Sequence, residues 1–280
     1  MRYIILLCLT LIIACSPKEH HNEEKNATKP NEKQNFTIGK VVKIDSKILN
    51  ESRTLNIYLP QGYEQDSIKD YPVIYLLDGS ADEDFIHIAG IVQFGNFPWV
   101  NMLPRSIVVG IGNVDRKRDF TYPTTIEKDK KDFPTTGGSA KFIEFIETEL
   151  QPYIQEKYSK NDTTTMIGQS LGGLLATEIL FKKPQLFLNY VIISPSLWWD
   201  NQSLLSIDPK TLSPDFQQQK SIYIAVGKEG KIMETDAKAL AELVQNAKND
   251  KLTTYFKYFG AQDHANIMHV AVYDAFEVLF

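Results

Sequence analysis

One stretch of the sequence combines a nucleophile with the glycines that would expose it: Gly168-Gln169-Ser170-Leu171-Gly172-Gly173. A serine hydroxyl attacks poorly unless a base takes its proton and the backbone holds it clear of its neighbours. The β-branched run Thr163–Ile167 precedes it, and an apolar helical pattern over Leu171–Phe181 follows. In that strand–turn–helix context a G-x-S-x-G string forms a nucleophile elbow. Close backbone approach in the turn calls for glycine at 168 and 172, and the helix start aims free N–H groups and a positive dipole at a developing oxyanion. Outside that context the same string is a glycine-rich turn with a capping serine.

A base must take the Ser170 proton, and the chain has five histidines. His20 and His21 fall in a polar N-terminal stretch, His87 on the helix after the third strand, and His269 within a C-terminal helical pattern, Ala265–Phe280. His264 follows the strand pattern Thr254–Phe259 in Gly260-Ala261-Gln262-Asp263-His264, where a serine–acid–histidine chain order puts the base. The acid belongs just after the strand Ile222–Val226, which favours Glu229, with Glu234, Asp236 or no acid at all as alternatives. Acids at the start of the following helix are also accounted for by its dipole.

The elements that position these residues read as an α/β domain. Two alternating strand patterns, within Phe36–Leu49 and Arg53–Leu59, meet near Asn50 as a hairpin. Short apolar runs follow at Val73–Leu77, Ile107–Ile111, Thr163–Ile167, Tyr190–Ile193, Ile222–Val226 and Thr254–Phe259. The middle ones are continuous, as strands covered on both faces should be. Helical patterns lie between them at Ala140–Tyr153, Leu171–Phe181 and Asp236–Ala247. The expectation is one domain, 36–280, with a mostly parallel sheet of about eight strands and an antiparallel start.

The N-terminus carries a different kind of information. Met1-Arg2 is followed by an apolar stretch, Tyr3–Ala14, and then Cys15. Twelve residues of helix span about 18 Å, too short for a bilayer core of about 30 Å but suited to a signal-peptide apolar region. Ile12-Ile13-Ala14-Cys15 resembles a bacterial lipobox, so residues 1–14 read as a lipoprotein signal and Cys15 as the lipidated residue. An ordinary signal peptide with an incidental cysteine is the rival. Cleavage there discards Cys8 and leaves no free thiol, which excludes disulfides, thiolate metal sites and a cysteine nucleophile. Residues 16–35 hold four positive and four negative side chains and almost nothing apolar, the composition of a tether. The localisation this implies is the cell envelope, on a membrane through Cys15. The formal charge of −5 gives no footprint for nucleic acid, and no obligatory protein partner is evident.

Four segments together with Asp263-His264 resemble the esterase branch of the α/β-hydrolase superfamily that includes esterase D, feruloyl esterases and the ferric-enterobactin and salmochelin esterases. They are Val73-Ile74-Tyr75-Leu76-Leu77-Asp78-Gly79, Arg116-Lys117-Arg118-Asp119-Phe120-Thr121, the elbow, and Ser194-Pro195-Ser196-Leu197-Trp198-Trp199-Asp200. The resemblance implies an ester hydrolase in which Ser170 attacks, His264 acts as base and then acid, and the Leu171 amide supplies half of an oxyanion hole. The other half would come from Gly79 or Ser80. The sequence departs from many esterases in lacking an aspartate after the seventh strand. Trp198 and Trp199, with Trp99 and Phe97, are candidates for an aromatic wall, and Arg116 and Arg118 for contacts to an anionic ligand. The reading is a serine ester hydrolase acting on small aromatic acyl or siderophore-type esters, without metal or organic cofactor. Acyl transfer and a non-catalytic binding lipoprotein are its rivals.

Overall fold

The computed structural model describes residues 35–63 and 70–280; the signal segment, Cys15 and nearly all of the tether lie outside the described residues. The hairpin forms where the alternation predicts it. Strands β1 (Lys40–Ser46) and β2 (Glu51–Tyr58) pair antiparallel, and the turn is closed by Asn50 at φ 53°. The apolar runs become β3 (Val73–Leu76), β4 (Ile107–Ile111), β5 (Thr164–Gln169), β6 (Asn189–Ile193), β7 (Lys220–Gly227) and β8 (Leu252–Phe259). The sheet order is β1-β2-β4-β3-β5-β6-β7-β8, parallel from β4 through to β8 and antiparallel where β2 meets β4. This is the α/β-hydrolase arrangement the sequence led us to expect.

Helices cover both faces, so β3, β4 and β6 are buried along their whole length, as their unbroken apolar sequences require. One face packs under α1 (Phe85–Gly95) and the C-terminal helix, residues Ile267–Leu279. The other packs under Ser139–Lys157, Leu171–Lys182 and Lys231–Gln245. Two short helices go beyond the sequence patterns: α2 (Arg116–Phe120), capped by Asp115, and α3 (Glu127–Asp132). The pattern over Ala140–Tyr153 resolves into α4 (Ser139–Phe145), one π turn (Ile146–Leu150) and α5 (Gln151–Lys157). Pro152 accounts for the irregular turn, because its ring crowds the carbonyl four residues back and it donates no hydrogen bond. The remaining helices are α6 (Leu171–Lys182), α7 (Lys231–Gln245) and α8 (Ile267–Leu279).

Parallel strands all end at one edge, and that edge carries the loops after β3, β4, β5, β6, β7 and β8. The four segments that carry the family resemblance, Glu229 and His264 are all on it.

The opposite edge holds an unusual buried cation. Lys220 is 1% exposed. Its Nζ donates to the Phe187 carbonyl at 2.6 Å and to Gln218 Oε1 at 2.8 Å, and no carboxylate pairs with it among the described residues. Burial lowers its pKa to about 8. The unfolded lysine keeps its proton to a higher pH, so between about 8 and 10.5 the unfolded state binds more protons and folding gains stability as pH rises. Urea unfolding of the parent and of Lys220→Met should therefore show the parent gaining relative stability from pH 7 to pH 10. A constant difference would contradict this assignment.

Candidate active site

Ser170 sits between β5 and α6 at φ 60°, ψ −120°, a region that side-chain-bearing residues rarely occupy. Its N–H donates to the Ile193 carbonyl at 3.0 Å, and its own carbonyl accepts from the N–H groups of Leu174 and Ser196, each at 3.0 Å. These bonds to β6 and its loop hold the strained turn. The glycine requirement falls on Gly168 and Gly173. A Cβ on Gly168 would lie 2.4 Å from the Gly172 carbonyl oxygen, and one on Gly173 would lie 2.9 Å from the Cα of Pro195. Gly172 itself was expected to be crowded, yet a Cβ there would make only an ordinary 3.4 Å contact with Leu77.

His264 and Glu229 meet across two adjacent loops. His264 Nδ1 lies 2.6 Å from Glu229 Oε2. The Glu229 side chain is 2% exposed, and its other oxygen accepts from Ser194 Oγ at 2.5 Å and from the Gly227 N–H at 3.0 Å. Burial pushes the Glu229 carboxyl up, but hydrogen bonds from His264, Ser194 and Gly227 outweigh it and hold the group below the usual glutamate range. An ionised Glu229 selects the tautomer that donates from Nδ1, which leaves Nε2 as the proton acceptor. Glu234 and Asp236, the other acids considered, do not touch the imidazole. Glu234 Oε1 accepts from the N–H groups of Glu229 and Gly230 at 3.0 and 2.9 Å, which fixes the Glu229 loop, and Asp236 accepts from Gln202. His87 and His269 stack edge to face between α1 and α8, at a ring separation of 4.4 Å.

The histidine loop is tied to its neighbours through backbone. Lys228 N–H donates to the Gln262 carbonyl at 2.7 Å, and Gln169 Nε2 donates to the His264 carbonyl at 2.5 Å. Ser170, His264 and Glu229 then line one open cleft of about 600 Å³ together with Ser196, Trp198, Lys228 and Met233. The Ser170 hydroxyl lies 3.3 Å from Ser196 Oγ. Serine–histidine contacts in such sites tighten when substrate arrives.

Several expectations change at the cleft wall. Leu171, as the first residue of α6, has an N–H with no acceptor inside the helix. Gly79 does not supply a second donor, because its N–H is spent on the Ile111 carbonyl at 3.0 Å. The Ser80 N–H goes to Glu83 Oε2 at 3.3 Å, closing the turn that starts α1. Arg118 turns away from the cleft. Its guanidinium is engaged by Asp119 at 2.8 Å and by Glu51 at 2.7 and 3.1 Å. Arg116 takes the place beside Ser170 instead. It holds Asp78 through bonds of 2.6 and 2.8 Å, and it lines a hollow of about 220 Å³ with Ser170, Leu171, Ser196, Trp198 and Trp199. Trp198 borders both spaces, whereas Trp199 is 1% exposed, with Nε1 donating to the Tyr122 carbonyl at 2.9 Å. Phe97 and Trp99 lie at the other end of the sheet, beyond α1, and form no part of the cleft. Ser194 and Ser196 were missed as site residues; the signal available was their place directly after β6, the strand beside the elbow. Among the described residues no three His, Cys, Asp or Glu side chains converge as a metal site would.

Comparison with known proteins agrees with this architecture. Residues 46–275 match the family described as "Putative esterase". The chain belongs to this esterase family. It is a carboxylic ester hydrolase. Over 242 residues, 80% of this chain and 83% of the relative, the esterase is 30% identical to the ferri-bacillibactin esterase BesA of Bacillus subtilis (strain 168). Among solved structures it resembles an IroE-like serine hydrolase from Shewanella oneidensis, at 31% identity and TM-score 0.77, covering 86% of this chain and 80% of that one. It also resembles the BES protein from Bacillus cereus, at 28% identity and TM-score 0.77, covering 90% and 98%.

The network around His264 makes a graded prediction for this esterase. Glu229→Ala removes tautomer control and should lower kcat on the order of 10⁴-fold. Ser194→Ala leaves the carboxylate with two donors and should cost about tenfold in kcat with KM unchanged. Steady-state kinetics on a p-nitrophenyl ester checks both, and parent-like kcat in Glu229→Ala would remove Glu229 from the site.

Proposed function

We propose that this esterase cleaves its substrate through an acyl-enzyme on Ser170, and that the substrate is an aromatic acyl or siderophore-type ester. The observation that carries the reading is the convergence, in one cleft, of a strained serine and an imidazole whose far nitrogen is held by a buried, ionised carboxylate. Ser170 Oγ attacks the ester carbonyl and its proton passes to Nε2 of His264. The tetrahedral oxyanion develops over the start of α6, where the Leu171 N–H and the helix dipole meet it. Protonated His264 then returns the proton to the leaving alcohol. Water repeats the sequence, with His264 as base, and releases the acid.

The substrate class rests on the cleft and on kinship. Trp198 offers an aromatic face and Lys228 gives positive charge for an anionic or phenolate-bearing acyl group, while Arg116, its charge paired with Asp78, lines the neighbouring hollow. The relative from Bacillus subtilis is named a ferri-bacillibactin esterase, and a further relative, from Aspergillus fumigatus, is named a siderophore triacetylfusarinine C esterase. The reading includes an envelope location, which Arg2, the short apolar segment and Cys15 support.

Ser170→Ala should lower kcat for a catecholate lactone on the order of 10⁶-fold while leaving the fold intact by circular dichroism. Retention of near-parent turnover would refute the mechanism. Turnover of p-nitrophenyl acetate but not of catecholate or feruloyl esters would refute the substrate class alone.

A further inference from the structure

At the end of the sheet opposite the cleft, α1 runs out into a loop that exposes aromatic rings to solvent. Trp99 is 78% exposed and Phe94 44%. Phe97 stacks on Trp99 with ring centroids 4.6 Å apart and planes 19° from parallel, and it meets Phe94 edge to face at 6.2 Å. Trp and Phe standing this far out of a core usually mark an interaction surface. No aspartate or glutamate occurs within the segment Phe85 to Val114 itself, and Arg105 closes the loop before β4.

The chain enters the domain at the same end and on the same face. Lys40 pairs with Ile57, near the end of β2 farthest from the catalytic edge, and Ile38 packs against the cluster that contains Phe85, Ile88 and Val92 of α1. Residues 16–35 precede this point and lead back to Cys15. Twenty residues reach at most about 70 Å even when fully extended. A surface to which Cys15 is fixed is therefore within covalent reach of this pole.

We propose that the Phe94–Phe97–Trp99 patch docks into the headgroup region of the membrane that anchors the chain. Indole and phenyl rings favour that interface. Docked this way, the sheet stands with its catalytic edge away from the lipid, and the cleft faces the aqueous side. The inference takes its geometry from the lipid-anchor reading above but concerns a surface remote from Ser170.

The test uses the mature chain carrying Cys15→Ser, which has no lipid, and vesicles of phosphatidylethanolamine and phosphatidylglycerol. The parent surface should float with the vesicles, and brominated lipid should quench its tryptophan fluorescence. Trp99→Ser should weaken partitioning on the order of tenfold. Trp99→Phe should keep most of the binding and lose the quenching. Both variants should hydrolyse a soluble p-nitrophenyl ester at the parent rate, which shows that they fold. Failure to float, equal flotation by Trp99→Ser, or self-association through the patch without lipid would overturn the proposal. Fatty-acid labelling in cells, expected for the parent and lost in Cys15→Ser, tests the anchor separately, so failure of one reading is distinguishable from failure of the other.

Discussion

Everything at the catalytic edge depends on keeping Ser170 in a backbone conformation it would not adopt alone. The positive φ is held by bonds that cross from the elbow to β6 and its loop: Ser170 N–H to Ile193, Ser196 N–H to Ser170, and a glycine at 173 that lets Pro195 come within reach. Strain of this kind costs on the order of 1–3 kcal/mol and persists only where surrounding structure over-determines it. Here that structure is a sheet whose central strands are buried on both faces. The elbow is thus a consequence of the core, and the core explains why a flexible hydroxyl can be aimed.

The rest of the site follows the same logic, in which one loop restrains the next. Gln169, the residue before Ser170, holds the His264 carbonyl, and Lys228, the residue before Glu229, holds the Gln262 carbonyl. Glu234 secures the Glu229 loop from the first turn of α7. Burying a carboxylate is costly unless its lone pairs are satisfied, and Glu229 receives Ser194, Gly227 and His264.

The sequence made the frame legible because the frame is written in local signals. Continuous apolar runs marked strands buried on both faces, Asn50 marked the hairpin, and the glycines around Ser170 marked the elbow. Glu229 and His264 were legible from their places after β7 and β8. What escaped depended on contacts between distant segments. Arg116 and Arg118 look equivalent in sequence, but two positions apart on a helix they point about 200° from each other, so one faces the cleft and the other meets Glu51 and Asp119. The Gly79 N–H looked free until β4 brought the Ile111 carbonyl to it. Trp199 and Trp99 sit in similar aromatic strings, yet one is sealed against Tyr122 and the other projects into solvent.

The account stands or falls on whether Ser170 is the activated nucleophile. Fluorophosphonate labelling followed by peptide mass spectrometry measures this directly, since only an activated serine reacts. The account predicts one phosphonylated peptide, modified at Ser170, with labelling slowed strongly by Glu229→Ala. A protein that takes up no label, or takes it up at another residue, would contradict it.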